Sequence, residues 1–229
     1  MRLVLFDIDG TLLHTNGLSK DIFCQAISLA FDRPIIWQGY PDAATRYTDT
    51  AMALDLLRHS GFEGDVAPNL GRAFEIMGEL WADHQETADI YLYSGVHELI
   101  DALCQQERCE LGILTANGRP SAWGKLRAAK LDQYPFKLGA YGDEAADRND
   151  LPPIALQRAQ EMFGAGFSGE DIIIVGDTPA DIECARVVGA QVVAVATGRY
   201  STVDLAKHNP DVLLETLEDT RWIQNLIYS

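Results

Sequence analysis

Short apolar runs alternate with longer amphipathic segments along most of the chain. Four runs have the length and the aliphatic character of strands buried on both faces; they cover residues 3–6, 111–114, 172–175 and 191–195. Other segments repeat apolar residues at helical spacing; they cover residues 95–106, 121–129, 153–163, 179–188 and 215–227. Strands that alternate with helices predict right-handed βαβ crossovers, so we expect an α/β fold with a parallel sheet.

The alternation stops between residues 18 and 88. This stretch shows no buried-strand pattern and instead contains amphipathic segments at residues 21–31, 49–59 and 69–84. About 70 helical residues are too many for one crossover, which needs a dozen or more. We therefore expect an all-helical insertion, with residues 1–15 and 90–229 as the core and residues 16–89 as the inserted unit.

Composition and charge restrict the kinds of function that this chain can have. The chain has 229 residues, 47% of them apolar, which is enough for a substantial core. Its 34 acidic and 18 basic residues give a formal charge of −16, which argues against binding to nucleic acid or to an anionic membrane. Neither a membrane helix nor a signal peptide is indicated, and the four cysteines form no CxxC pair. We expect a cytoplasmic protein with reduced thiols.

Polar residues follow three of the predicted strands at the point where each strand ends. The first strand runs into Asp7 and Asp9, another into Thr115 and Asn117, and a later one into Asp177. Because ligands of open α/β sheets bind outside the carboxyl ends of the strands, we expect these side chains to meet at one edge. Carboxylates brought close together repel one another, and a bound cation removes that cost. An oxygen-only set of ligands suits Mg²⁺.

These strand ends carry three motifs, which read DIDGTL at residues 7–12, LTAN at residues 114–117 and GDTPAD at residues 176–181. In their order and spacing, and in the helical insertion after the first motif, the chain resembles the phosphatase branch of the haloacid dehalogenase superfamily. Phosphoglycolate phosphatases are the nearest analogy. The resemblance implies a Rossmann-like core, a helical cap, and Mg²⁺-dependent hydrolysis of a small phosphorylated metabolite through an aspartyl-phosphate.

The resemblance also implies roles for the three motif aspartates. Asp7 would be the nucleophile and a metal ligand. Asp9 would act as general acid and then as general base, and its backbone carbonyl would bind the metal. Asp177 would be the third protein ligand of the metal.

The other motif residues are expected to bind phosphate or to support the site. The phosphate-binding set follows the second motif strand and consists of Thr115, Ala116 and Asn117. The backbone N–H groups before Pro120 would complete a phosphate-binding turn at a helix start. The supporting set consists of Gly10, Thr11 and Asp181. Gly10 permits a sharp turn after the nucleophile, and Asp181 orients the groups around the metal.

One part of the family pattern is missing from this sequence. The family usually carries a lysine just before the helix that precedes the last acidic motif, but residues 147–156 contain none. Arg148 is the first substitute, because a guanidinium can pair with phosphate oxygens or with two carboxylates, and Lys137 is the second. The alternative for Arg148 is a surface ion pair with Asp147 or Glu144.

Substrate choice is expected to depend on polar residues of the cap, namely Arg46, Tyr47, Thr48 and Asp49. Arg46 could bind a carboxylate of the substrate. Two other functions stay open: a phosphomutase of the sugar-phosphate type, which shares the core motifs, and a non-catalytic protein that binds a phosphate ligand on the same fold. Both a monomer and a homodimer are compatible with the sequence.

Overall fold

The computed structural model describes residues 1–37 and 48–228. The main sheet contains six strands: β1 (Arg2–Phe6), β4 (Cys109–Thr115), β5 (Phe136–Tyr141), β6 (Ile172–Gly176), β7 (Gln191–Val195) and β8 (Val212–Leu214). They form a six-stranded sheet in the order β5-β4-β1-β6-β7-β8, with parallel neighbours throughout. The predicted Rossmann-like α/β fold is confirmed.

Helices cover both faces of this sheet, because alternate residues of each strand point to opposite sides. Val4 and Phe6 pack on one face, against α4 (Val96–Cys104), α5 (Arg119–Ala128) and α9 (Trp222–Ile227). Leu3 and Leu5 pack on the other face, against α6 (Leu151–Phe163), α7 (Pro179–Val188) and α8 (Thr202–Ala206). The central strand β1 is thus apolar on both sides, as expected of a buried parallel strand.

Three helices lie between β1 and the return of the chain to the sheet: α1 (Leu18–Ala30), α2 (Asp49–His59) and α3 (Ala67–Asp83). Their apolar faces form a hydrophobic cluster of their own, which includes Phe23, Leu57 and Trp81. The chain leaves through β2 (Leu13–His14) and returns through β3 (Tyr91–Leu92), which pair antiparallel. We refer to these helices as the cap; its division from the core at residues 16 and 89 stays a prediction.

The sequence pattern missed two strands of the main sheet and lengthened one helix. β5 was not predicted because Lys137 and Gly139 interrupt its apolar run, and β8 is only three residues long. Both are edge strands, which need less apolar sequence than a central strand. The helix predicted over residues 215–227 forms only over Trp222–Ile227. Within the described ranges, no helix is long and apolar enough to cross a membrane.

Candidate active site

Three carboxylates meet at the carboxyl edge of the sheet. Asp7 follows β1, Asp177 follows the neighbouring strand β6, and Asp181 lies in the first turn of α7. Because β1 and β6 are paired in parallel register, their ends deliver Asp7 and Asp177 to the same place. One oxygen of each of the three carboxylates lies within 4.8 Å of the others, and all three residues are buried.

Gly10 and Thr11 shape the space around Asp177. Gly10 has a φ of 87°, in the left-handed region that favours glycine. A Cβ at this position would lie 2.4 Å from an Asp177 carboxylate oxygen, so a side chain here would collide with Asp177. The hydroxyl of Thr11 donates to Asp177 Oδ1 at 3.1 Å. The two predicted supporting residues thus make room for Asp177 and orient it.

Arg148 provides the cation beside this cluster. It begins a short 3₁₀ turn before α6 and is only 4% exposed. Its Nη2 lies 3.2 Å from Asp7 Oδ1 and also pairs with Asp181 Oδ1. The alternative of a surface ion pair with Asp147 or Glu144 is wrong, because Arg148 is buried and pairs with Asp7 and Asp181. Arg148 therefore pairs with two carboxylates, which is one of the two arrangements that we predicted for its guanidinium.

Lys137, the other predicted substitute, lies elsewhere. It is exposed near the start of β5, at the end of the strand opposite to the carboxyl edge. It lines a separate surface depression with Arg119, Arg158 and Glu161. The position of Lys137 thus favours Arg148 as the cation of the carboxylate cluster.

Asp181 already has hydrogen-bond donors on both of its oxygens. Oδ1 accepts from Arg148, and Oδ2 accepts from the backbone N–H of Thr178 at 2.9 Å and from its hydroxyl at 2.6 Å. Thr178 and Asp181 form the capping box at the start of α7. Asp7 and Asp177 are consequently more open to a cation than Asp181.

The electrostatics of the cluster favour a divalent cation. Burial raises the pKa of Asp7 to about 6, although the Arg148 guanidinium acts in the opposite direction. Burial, and then the charges of Asp181 and Asp7, raise the pKa of Asp177 well above its ordinary value. Three buried carboxylates face one guanidinium, so negative charge is left uncompensated. A hard cation such as Mg²⁺ fits this set of carboxylate oxygens.

Asp9 faces a different set of partners from those of Asp7. Its Oδ2 accepts from Asn117 Nδ2 at 2.7 Å and from Lys125 Nζ at 2.5 Å. Lys125 also donates to Asn117 Oδ1 at 2.5 Å, and Asn117 Nδ2 donates to the hydroxyl of Thr115 at 2.9 Å. Asp9, Thr115 and Asn117, which we predicted at the edge of the sheet, thus form one network.

Lys125 was missed at the sequence level. It lies on α5, two helical turns after Asn117, and is 1% exposed. The available signal was its spacing from Ser121, since residues four apart share one face of a helix. That face also carries the small residue Gly124, which allows the cap to approach closely.

The backbone N–H groups at the start of α5 donate hydrogen bonds to carboxylates of this chain. The backbone N–H of Gly118 donates to Asp49 Oδ2 at 2.8 Å, and that of Arg119 donates to Asp143 Oδ1 at 2.9 Å. These are two of the N–H groups expected to bind phosphate before Pro120. In this structure they bind carboxylates, and one of those carboxylates comes from the cap.

Asp49 and its neighbour Thr48 fasten the cap to the core. The backbone N–H of Asp49 donates to the carbonyl of Ala116 at 2.8 Å, and the Thr48 hydroxyl donates to the carbonyl of Ala145 at 2.6 Å. Burial raises the pKa of Asp49 to about 6, against the opposite effect of Lys125. Of the polar cap residues that we predicted, Arg46 and Tyr47 lie outside the described residues.

A cavity of about 250 Å³ lies between the cap and the core, next to Asp9. Its core wall is formed by Asp9, Ala116, Asn117, Ser121 and Lys125. Its cap wall is formed by Ser19, Lys20, Phe23, Trp37, Asp49 and Met52. The cavity combines charged and aromatic side chains, as expected of a site for a small polar molecule.

Comparison with known proteins identifies the family. The model of the family described as haloacid dehalogenase-like hydrolase matches residues 4–195. The chain belongs to this family. This haloacid dehalogenase-like hydrolase is 25% identical over 219 residues to the pyrophosphatase PpaX of Bacillus mycoides, covering 96% of this chain and 94% of the relative. Together, the family and its relatives identify the chain as an enzyme of the phosphatase type.

Solved structures of the haloacid dehalogenase-like hydrolases share its fold. CbbY from Rhodobacter sphaeroides in complex with phosphate has a TM-score of 0.69 at 21% identity, covering 96% of each chain. A phosphoglycolate phosphatase predicted for Haemophilus somnus has a TM-score of 0.64 at 21% identity, covering 98% of each chain. At this identity the similarity establishes the fold over nearly the whole length.

Proposed function

We propose that this chain is a Mg²⁺-dependent phosphatase that hydrolyses a small phosphorylated metabolite through an aspartyl-phosphate on Asp7. The observation that carries this proposal is the buried pair of Asp7 and Asp177 beside Arg148, with Asp9 next to the cap cavity. A nucleophile, a charge partner and a proton-transfer group are thus close to a space that can hold a leaving group.

The metal would be held by Asp7, Asp177 and the backbone carbonyl of Asp9. When bound, Mg²⁺ supplies the positive charge that allows an anionic carboxylate to approach an anionic phosphate. The oxygen-only donors and the uncompensated negative charge of the cluster support this assignment.

The side chains of the protein would divide the reaction into two steps. Asp7 attacks phosphorus while Asp9 gives a proton to the departing oxygen. Asp9 then takes a proton from the water that attacks phosphorus and releases Asp7. Arg148 keeps the Asp7 carboxylate oriented, and Thr115 with Asn117 hydrogen-bonds phosphoryl oxygens.

The substrate would place its leaving group in the cap cavity. The volume of about 250 Å³ favours a small leaving group. Relatives suggest which compounds to test: PpaX is named as a pyrophosphatase, and CbbY was crystallised with phosphate and with xylulose-(1,5)bisphosphate. Pyrophosphate, sugar phosphates and phosphoglycolate are therefore the first panel.

The test measures phosphate release from p-nitrophenyl phosphate and from this panel, with Mg²⁺ and with a chelator. We expect Mg²⁺-dependent release by the wild type and none by Asp7→Asn. Mg²⁺ binding is measured separately by calorimetry, where Asp177→Asn is expected to bind more weakly. Transfer of phosphate to a second position of a sugar, without release, would indicate a phosphomutase. Metal binding without turnover would indicate a binding protein.

A further inference from the structure

The buried ammonium of Lys125 is not explained by the metal site. Lys125 is 1% exposed, and burying a charge is costly unless hydrogen bonds compensate it. Its Nζ donates to Asp9 Oδ2 and Asn117 Oδ1, both at 2.5 Å. The ammonium also lies 5.9 Å from the centre of the Trp81 ring. This lysine is therefore built into the site rather than placed at the surface.

The cap covers Lys125 through Trp81 of α3. Trp81 Nε1 donates to the Ser121 hydroxyl at 3.1 Å. At Gly124, a Cβ would lie 2.4 Å from the Cβ of Trp81, so only glycine allows this close approach. The small residues Ser121 and Gly124 thus let Trp81 pack close to the Lys125 ammonium.

The Asp9 carboxylate is hydrogen-bonded through one of its two oxygens. Within the described part of the chain, the hydrogen bonds to its carboxylate all reach Oδ2, from Asn117 and from Lys125. The side chain of Asp9 is 40% exposed and borders the cap cavity. With Oδ2 held by two donors, Oδ1 is the oxygen that remains for a proton and for the leaving group.

We propose that Lys125 is a positioning residue that fixes the Asp9 carboxylate through Oδ2, so that Oδ1 exchanges the proton with the leaving group and with water. The proposal rests on the proposed phosphatase function. Lys125 acts through Asp9, whereas Arg148 acts on Asp7, so the two cations act on different carboxylates of the same reaction. Nothing in the three sequence motifs assigns this role to a residue of α5.

The proton balance of both steps is simple. As the bond between an Asp7 oxygen and phosphorus forms, the bond between phosphorus and the leaving oxygen breaks, and that oxygen takes the proton from Asp9 Oδ1. Asp9 then accepts a proton from water, while the water oxygen bonds to phosphorus and the Asp7 oxygen departs. Lys125 keeps its three protons throughout and serves only as a donor.

The test compares two aryl phosphates of similar size, because a poor leaving group needs the proton of Asp9 more than a good one does. p-Nitrophenolate leaves without much help, whereas phenolate does not. We measure kcat/KM, which reports the steps up to departure of the leaving group. For Lys125→Met we expect a loss about tenfold greater with phenyl phosphate than with p-nitrophenyl phosphate, since general acid catalysis contributes about 10²–10⁴-fold.

Two further variants make the comparison specific. Lys125→Arg keeps a cationic donor and is expected to recover part of the loss with phenyl phosphate. Lys137→Met removes an exposed lysine far from the site and is expected to leave both rates unchanged. If Lys125→Met fails to fold, Lys125→Gln, which keeps a donor without the charge, is compared with the wild type on the same two esters.

The result that overturns the proposal is an equal loss on both esters, which a merely structural role would produce. This outcome is distinguishable from failure of the proposed function. If the wild type shows no Mg²⁺-dependent turnover, or if Asp7→Asn remains active, the phosphatase mechanism itself is wrong. If Asp7→Asn is inactive and Lys125→Met loses both esters equally, only the role of Lys125 is wrong.

Discussion

Asp7 and Asp9 lie two residues apart in the sequence but in opposite environments. The side chain of Asp7 is 7% exposed and faces Arg148 inside the core. The side chain of Asp9 is 40% exposed and faces Lys125 at the cap cavity. The turn that follows β1 thus sends one carboxylate into the sheet edge and the other towards the cap.

This difference separates two kinds of chemistry. Within the part of the chain that the structure describes, the charges that act on Asp7 come from core residues, first Arg148 and then Asp181. Lys125 is covered by Trp81 of the cap, so the surroundings of Asp9 depend on how the cap packs. We infer that core residues control formation of the bond between Asp7 and phosphorus. Residues at the interface between core and cap control proton transfer by Asp9.

The largest effect is expected from removing the proposed nucleophile, Asp7. Asp7→Asn should lower kcat for p-nitrophenyl phosphate by about 10⁴-fold or more, as for other covalent catalysts that lose the attacking group. The exposed Asp132→Asn, which changes the same charge away from the site, is the matched control and should behave as wild type. Substantial turnover by Asp7→Asn would contradict the assignment.

The second-largest effect is expected from replacing Arg148, the cation beside Asp7 in the core. Arg148→Met leaves the carboxylates of Asp7 and Asp181 buried without their partner, which costs about 3–5 kcal/mol of stability for a buried pair. Activity should fall by about 10²-fold, in line with the loss of one strong electrostatic contact. Arg148→Lys, which restores the residue type usual in the family, should recover part of both losses.

Thermal unfolding and turnover measured on the same Arg148 samples provide the check. Because Arg148 contacts Asp7 and not Asp9, Arg148→Met should lower the activity on p-nitrophenyl phosphate and on phenyl phosphate by the same factor. Unequal losses would mean that Arg148 also acts on proton transfer, and the separation between the two cations would be wrong.

Much of this arrangement was predictable from sequence, because strand ends obey a simple rule. The apolar runs gave the central strands, and the residues after them gave Asp7, Asp9, Thr115, Asn117 and Asp177. The cap helices followed from the absence of a strand pattern. Both inferences depend on local periodicity, which a single sequence contains.

The missed features depend on contacts between distant segments. Lys125 belongs to an amphipathic helix and looks like an ordinary surface lysine until α3 packs over it. Asp49 meets Gly118 only because the start of α2 lies against the core. Such pairings between residues far apart in the chain leave only a weak local signal in one sequence, such as the helical spacing of Ser121 and Lys125.

The smallest effect is expected from replacing Asp49, a cap residue that contacts the core, and it concerns stability. The pKa of its carboxyl is about 6 in the folded protein against an ordinary value of 3.8. The folded state holds the proton more tightly, so the stability of the wild type falls as pH rises from 3.8 to about 6 and stays lower above that range. Asparagine keeps an oxygen for the Gly118 N–H and carries no charge.

Asp49→Asn should therefore raise the unfolding midpoint by a few degrees at about pH 7.5 and should match the wild type at about pH 4. Scanning calorimetry at these two pH values measures the effect, and the exposed Asp132→Asn again serves as control. A gain that is equal at both pH values would exclude ionisation of Asp49 as its cause.

The most direct test of the two roles is to trap the phosphorylated enzyme. Labelled p-nitrophenyl phosphate is mixed with Asp9→Asn or Asp7→Asn, and the label bound to acid-quenched protein is counted. Because this leaving group departs without the proton of Asp9, Asp9→Asn should accumulate about one labelled, hydroxylamine-sensitive phosphate per chain, and Asp7→Asn should carry none. Label on Asp7→Asn, or release of phosphate by Asp9→Asn at the wild-type rate without accumulation of label, would contradict the division of labour between the two aspartates.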